Sequence, residues 1–203
     1  MKFRVKFSIF IIVLGAILVM IPSIQHKMNE LEPNELYQKS ISMDIYISAD
    51  QVARSMVLED SNYLFIDLRT PEEYKEFNIP GSINIPYNDF LNKDWQGYLN
   101  QQEVKNVFYS NGDYISTHAW IIASRMGYQN NYIMEGGLNE WYDKIMESKF
   151  EGGKITAKEN ALFEIRTRAK KLFTEMNSLP DSLKVKYIAA KRLEEQELDG
   201  GCN

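Results

Sequence analysis

Val107-Phe108-Tyr109-Ser110-Asn111-Gly112-Asp113-Tyr114-Ile115-Ser116-Thr117 runs on into His118-Ala119-Trp120-Ile121-Ile122-Ala123-Ser124-Arg125-Met126-Gly127. The three leading apolar residues read as the end of a buried strand. Ser110 opens a short polar loop through Ile115, and Ser116 and Thr117 lead into a helix over 118–127. A strand, a tight loop and a helix N-terminus in that order form a cradle for an anion or a reactive atom.

Outward from this stretch the pattern repeats. Upstream, Ser48 opens a helix from Ala49 to Leu58 with Asp50 in its first turn. Tyr63-Leu64-Phe65-Ile66 is a uniformly apolar run ending at Asp67, as expected of a buried parallel strand. Pro71 starts a short helix at the position proline favours. Ile79-Pro80-Gly81 is a turn, Ile83-Asn84-Ile85 a further strand, and Asn131-Tyr132-Ile133-Met134 another. Helices separate most of these strands, so the expectation is an α/β domain with a mostly parallel sheet covered on both faces. After Glu151-Gly152-Gly153 the pattern changes. Thr156 to Glu159 fits a capping box, and Leu162, Ile165, Ala169, Leu172, Phe173 and Met176 recur at helical spacing. Leu179-Pro180-Asp181 ends that helix and a second runs from 182 to 198, giving a helical hairpin.

The 203 residues hold one domain plus extensions, and the net charge of −5 without a basic face argues against nucleic acid as a partner. Cys202 is the single cysteine, so no internal disulfide or cysteine-built zinc site is possible, and neither a metal nor a cofactor is expected. Lys2, Arg4 and Lys6 precede an uncharged stretch from Phe7 to Gln25. Its apolar core is near the lower limit of about 17 residues for a spanning helix. Met20-Ile21-Pro22-Ser23-Ile24 offers no small-residue cleavage site, which favours an uncleaved single-pass signal anchor over a cleaved signal peptide. Either way the N-terminal charges stay in the cytoplasm and the bulk of the chain crosses to the far side of the membrane. The expected organisation is an anchor over 1–25, a linker over 26–44, the α/β domain over 45–149, the hairpin over 154–199 and a flexible tail over 200–203.

Three motifs between about Ile47 and Ile145 resemble those of the rhodanese family of sulfurtransferases. Asp67-Leu68-Arg69-Thr70-Pro71-Glu72-Glu73-Tyr74 is similar to D-[VL]-R-x-P-x-E-[FY]. Asn78-Ile79-Pro80-Gly81-Ser82-Ile83-Asn84-Ile85-Pro86 is similar to H-I-P-G-A-x-N-I-P, and Gly136-Gly137-Leu138-Asn139-Glu140-Trp141 to G-G-x-x-x-W. The resemblance implies a three-layer domain with a five-stranded parallel sheet and the Ser110 loop at the carboxyl end of a strand, where open α/β sheets place ligands. In that family the first loop position is the cysteine that carries sulfur as a persulfide. Active members show C-x-x-G-x-R-S; here Ser110-Asn111-Gly112-Asp113-Tyr114-Ile115-Ser116 lacks the cysteine, the arginine and the glycine of that register.

A cysteine thiol has an ordinary pKa of about 8.5, and a helix N-terminus lowers it. A serine needs an adjacent base. His118, the one histidine of the domain, lies eight residues beyond Ser110, and no G-x-S-x-G elbow is present, so a Ser110–His118 hydrolase is disfavoured. Asp67 is expected to cap loop amides while Arg69 pairs with Glu72 or Glu73. Gly136 and Gly137 serve close packing, and Trp120 and Trp141 serve as core anchors. The Arg166, Arg168, Lys170, Lys171 group reads as the solvated side of an amphipathic helix. The expectation is a membrane-tethered, inactive domain that binds a protein partner. The alternatives are a sulfurtransferase or thiol-exchange protein using Cys202, and a structural subunit of a membrane complex.

Overall fold

The computed structural model describes residues 4, 7, 8, 10–15, 32–149, 156–180, 183 and 184. In chain order these form α1 (Pro33–Ser40), β1 (Tyr46–Ile47), α2 (Ala49–Leu58), β2 (Tyr63–Asp67), α3 (Pro71–Glu76), β3 (Ile83–Asn84), α4 (Gln96–Leu99), β4 (Lys105–Tyr109), α5 (Asp113–Arg125), β5 (Asn131–Met134), α6 (Gly137–Trp141) and α7 (Ala157–Ser178). The five strands make one parallel sheet in the order β1-β5-β4-β2-β3.

Alternation along the strands divides the core. Phe65, Val107, Tyr109 and Met134 face α2, α6 and α7. Ile66, Phe108 and Ile133 face α5, where Ala119, Trp120 and Ala123 are buried. Trp141 is 1% exposed and Trp120 3%, so both tryptophans sit in the core. Because both sheet faces are covered, β2 is apolar from Tyr63 to Ile66 and β4 from Val107 to Tyr109.

Three features depart from the sequence expectation. Residues 33–40, expected as part of a linker, form α1, with Pro33 in its first turn and Leu36 packed on the α5 side of the core. β1 was not anticipated. It has two residues, Tyr46 and Ile47, paired with Ile133 and Met134, too few to show a period. α5 begins at Asp113, not after Ser116. Gly112 is its N-cap, so Asp113, Tyr114, Ile115 and Ser116 are helical and the loop proper is Ser110-Asn111-Gly112.

α7 packs on the domain. Ala169 and Met176 are buried, Ile165, Leu172 and Phe173 lie against the core, and the Phe173 ring meets Trp141 at 5.7 Å and Phe77 at 6.4 Å. Arg166 donates to both carboxylate oxygens of Asp50 at 2.7 Å, so it is not part of a free basic face. Asn177 accepts from the Asn78 amide at 3.0 Å and donates to the Asn78 carbonyl at 2.9 Å. The helix starts with the expected Thr156–Glu159 capping box. Of the second hairpin helix only Leu183 and Lys184 are described. The tail with Cys202, and most of the expected anchor, also lie outside the described residues. Among the described residues, no helix is long and apolar enough to cross a membrane.

Truncating Phe173→Ala is expected to cost about 2 kcal/mol of unfolding free energy, because it empties the space between Trp141 and Phe77. Chemical denaturation measures this, and unchanged stability would contradict the docking of α7.

Candidate functional site

The carboxyl ends of β2 and β4 form the base of the site. Asp67, fully buried, ends β2, and its Oδ1 accepts from the Arg69 amide at 2.9 Å. The Arg69 guanidinium, 4% exposed as a residue, grips the same carboxylate through Nε at 3.0 and 3.2 Å and through a terminal nitrogen at 2.7 Å. That terminal nitrogen also donates to the Phe77 carbonyl at 2.6 Å, and the Phe77 ring lies 4.7 Å beneath the guanidinium. Burial opposes the charged guanidinium, but the hydrogen bonds and charge of Asp67 outweigh it, and the Arg69 pKa stands above its ordinary value. Asp67 thus caps a loop amide as expected, but the expected pairing of Arg69 with Glu72 or Glu73 is corrected. Asp67 holds Arg69 from two residues away, while Glu73 closes the α3 capping box and accepts from the Asn111 side chain at 3.1 Å. The Thr70 amide, then Asn111, hold the Glu73 carboxyl below its usual range.

Beside this pair stands Tyr109, the last residue of β4 and fully buried. Its hydroxyl accepts from the Ile79 amide at 3.1 Å and shares a hydrogen bond of 2.8 Å with Ser82. The Tyr74 hydroxyl donates to the Ser82 carbonyl at 2.6 Å. Asn84 donates to the carbonyls of Asp67 and Arg69 at 3.0 and 2.9 Å. These bonds tie the turn containing Gly81 (φ +83°) to the strand ends. Sequence reasoning missed Tyr109 as a site residue, although a hydroxyl ending an apolar strand was a usable signal. It also missed the roles of Ser82 and Asn84, which become visible only once β3 is beside β2.

The loop follows. The Leu138 amide donates to the Ser110 carbonyl at 2.9 Å, and the Asn139 amide to the Asn111 carbonyl at 3.0 Å. α6 reaches this close because residue 137 is glycine. A Cβ there would sit 2.5 Å from the Ser110 carbonyl oxygen, and its φ is +56°. Gly136 is left-handed as well, with φ +67°, and its amide donates to the Asp113 carboxylate at 2.6 Å. Both glycines therefore serve backbone conformation and close packing. Ser110 is 7% exposed and its hydroxyl has no hydrogen-bond partner among the described residues.

The remaining candidates are placed as follows. The His118 ring lies against Tyr114 in a tilted contact, with centroids 4.3 Å apart, and meets Tyr87 at 6.5 Å. It makes no hydrogen bond with Ser110. Tyr114 is exposed, Ile115 packs against the α5 side of the core, and Ser116 is fully buried. Among the described residues no group of histidine, cysteine and carboxylate side chains is arranged to hold a metal ion.

Burial pushes the Tyr109 hydroxyl well above the ordinary tyrosine value, and Asp67 adds to this. The native state then keeps its proton while the unfolded chain loses its own. This residue's contribution is complete below pH about 10 and falls away as pH rises toward the native pKa. Tyr109→Phe is expected to cost about 1–3 kcal/mol at neutral pH, through the unpaired Ile79 amide and Ser82 hydroxyl. It should also flatten the alkaline decline in stability, which denaturation at a series of pH values would measure.

The family model for the rhodanese-like domain matches residues 48–144. The chain is similar to a thiosulfate:glutathione sulfurtransferase of Saccharomyces cerevisiae, at 30% identity over 124 residues, 56% of this chain and 89% of that protein. It is also 30% identical over 105 residues to a tRNA uridine(34) hydroxylase of Yersinia pestis, 50% of this chain but 29% of the hydroxylase. Similar solved structures include a rhodanese-related protein from Thermoplasma volcanium (TM-score 0.41, 24% identity, 49% of this chain and 91% of that one). Another is a single-domain sulfurtransferase of Saccharomyces cerevisiae (TM-score 0.38, 26% identity, 49% and 89%). With the motifs assembled around one strand–loop–helix and a curated relative matched over 89% of its length, the chain belongs to the rhodanese-like domain family.

Proposed function

We propose that this chain is a catalytically inactive rhodanese-like domain that binds a protein partner, tethered to the membrane by the apolar segment within residues 1–25. The observation that carries the reading is the side chain of Ser110. Sulfur transfer needs a thiolate that attacks the donor's sulfane sulfur and keeps it as a persulfide, and a serine oxygen offers no such sulfur–sulfur bond. Among the described residues no histidine or carboxylate is hydrogen-bonded to the Ser110 hydroxyl, and the His118 ring lies against Tyr114. The position where active members carry arginine holds Ile115, packed on the core. The activity of the yeast relative therefore supplies the scaffold and not the chemistry. The tether rests on Lys2, Arg4 and Lys6 followed by the uncharged stretch from Phe7 to Gln25. That polarity is the reason for reading the domain as extracytoplasmic.

In a cyanide-dependent thiocyanate assay the native chain is expected to show no turnover above the uncatalysed rate. Robust turnover would refute the inactive reading, and its loss in Cys202→Ala would assign the chemistry to the tail. The tether predicts that the chain stays with membranes through an alkaline carbonate wash; release into the supernatant would refute it.

A further inference from the structure

The loop retains more hydrogen-bonding capacity than the protein uses. The Ser110 and Asn111 carbonyls are turned outward to the α6 amides. The Asn111 and Gly112 amides, outside helix and strand, donate to no backbone acceptor among the described residues. The first-turn amides of α5 have no acceptor within the helix, and Gly112 supplies no capping side chain. Two hydroxyls add to this set. Ser110 is 7% exposed, and its hydroxyl has no partner among the described residues. Ser116 is 0% exposed and its Oγ is likewise unpaired. Ser116 stands four residues after Gly112, in the first turn of α5. Buried hydroxyls and amides left without partners around one helix N-terminus point to an acceptor that comes from outside the chain.

The charges around the loop decide which acceptor. Ile115 contributes no cation, and Asp113 sets a carboxylate in the first turn of α5, held on the Gly136 amide at 2.6 Å. Glu73 stands on the other side, bonded to Asn111. A carboxylate at that terminus already offsets the helix dipole and opposes an entering anion.

We propose that the loop receives an uncharged carbonyl oxygen, a peptide or carboxamide group of a protein partner, and that Asp113 is the specificity-determining residue that excludes oxyanions. This names the chemistry recognised by the binding module proposed above and rests on that reading.

The test uses the full chain in detergent, isotope-labelled, with the amide signals of residues 111–116 followed by NMR. The probes are an N-acetyl asparagine amide and sodium sulfate, with sodium chloride as the ionic-strength control. The carboxamide is expected to shift these signals saturably and sulfate to leave them in place. Asp113→Asn keeps an oxygen for the Gly136 amide while removing the charge, and should bind sulfate roughly fivefold or more tighter than the native chain. Ser110→Ala should weaken the carboxamide severalfold without loss of stability, because it leaves no group of the chain unpaired. Sulfate saturating the native loop as tightly as the Asp113→Asn loop would overturn the proposal, as would a carboxamide that shifts nothing. A chain that turns over sulfur yet still takes the carboxamide would refute the inactive reading and leave the loop assignment standing, so the two failures are distinguishable.

Discussion

The contact between α6 and the loop is the constraint on which the site depends. Two amides, Leu138 and Asn139, hold two successive loop carbonyls, and only glycine at 137 lets the backbones come that close. Nothing in this arrangement consults the side chain at position 110. The loop therefore keeps its shape whether that side chain ends in sulfur or oxygen, and a chain can lose the family's chemistry without disturbing its fold. The buried Asp67–Arg69 pair acts on the same principle. Its desolvation is costly, so its value lies in fixing the β2 end and the Phe77 turn in one geometry more than in net stability.

α7 extends this economy beyond the part of the chain that the family model matches. The match ends at 144, yet Trp141 depends on Phe173 for cover, and Asn78 exchanges two hydrogen bonds with Asn177. Asn78 stands where the family motif usually has histidine. In this chain that position is a fastening point for the added helix, and through Phe77 it adjoins the carbonyl that Arg69 grips. The extension and the site base thus share one turn.

Much of this was legible in the sequence because local and global signals agree. β2, β4 and β5 each carry a short apolar run, Ser48, Pro71 and the Thr156 capping box mark helix starts, and the paired glycines announce a tight approach. Other features depend on the assembled fold. β1 has two residues and exists only because β5 offers an edge. Asn111-Gly112-Asp113-Tyr114 is polar enough to read as loop throughout, while the helix starts inside it at Asp113. The partner of Arg69 was misassigned because three carboxylates lie within four residues of it, and only the assembled structure shows that Glu73 is already occupied. That the Ser116 hydroxyl finds no partner among the described residues has no sequence signature, since serine is satisfied or orphaned only by its surroundings.

The central claim is that an oxygen at position 110 allows the cradle to hold a group but not to relay sulfur. Intact-protein mass spectrometry on a Cys202→Ser chain exposed to a sulfane donor tests it most directly. The account predicts no added sulfur atom. A gain of one sulfur atom that disappears when cyanide is supplied would contradict it.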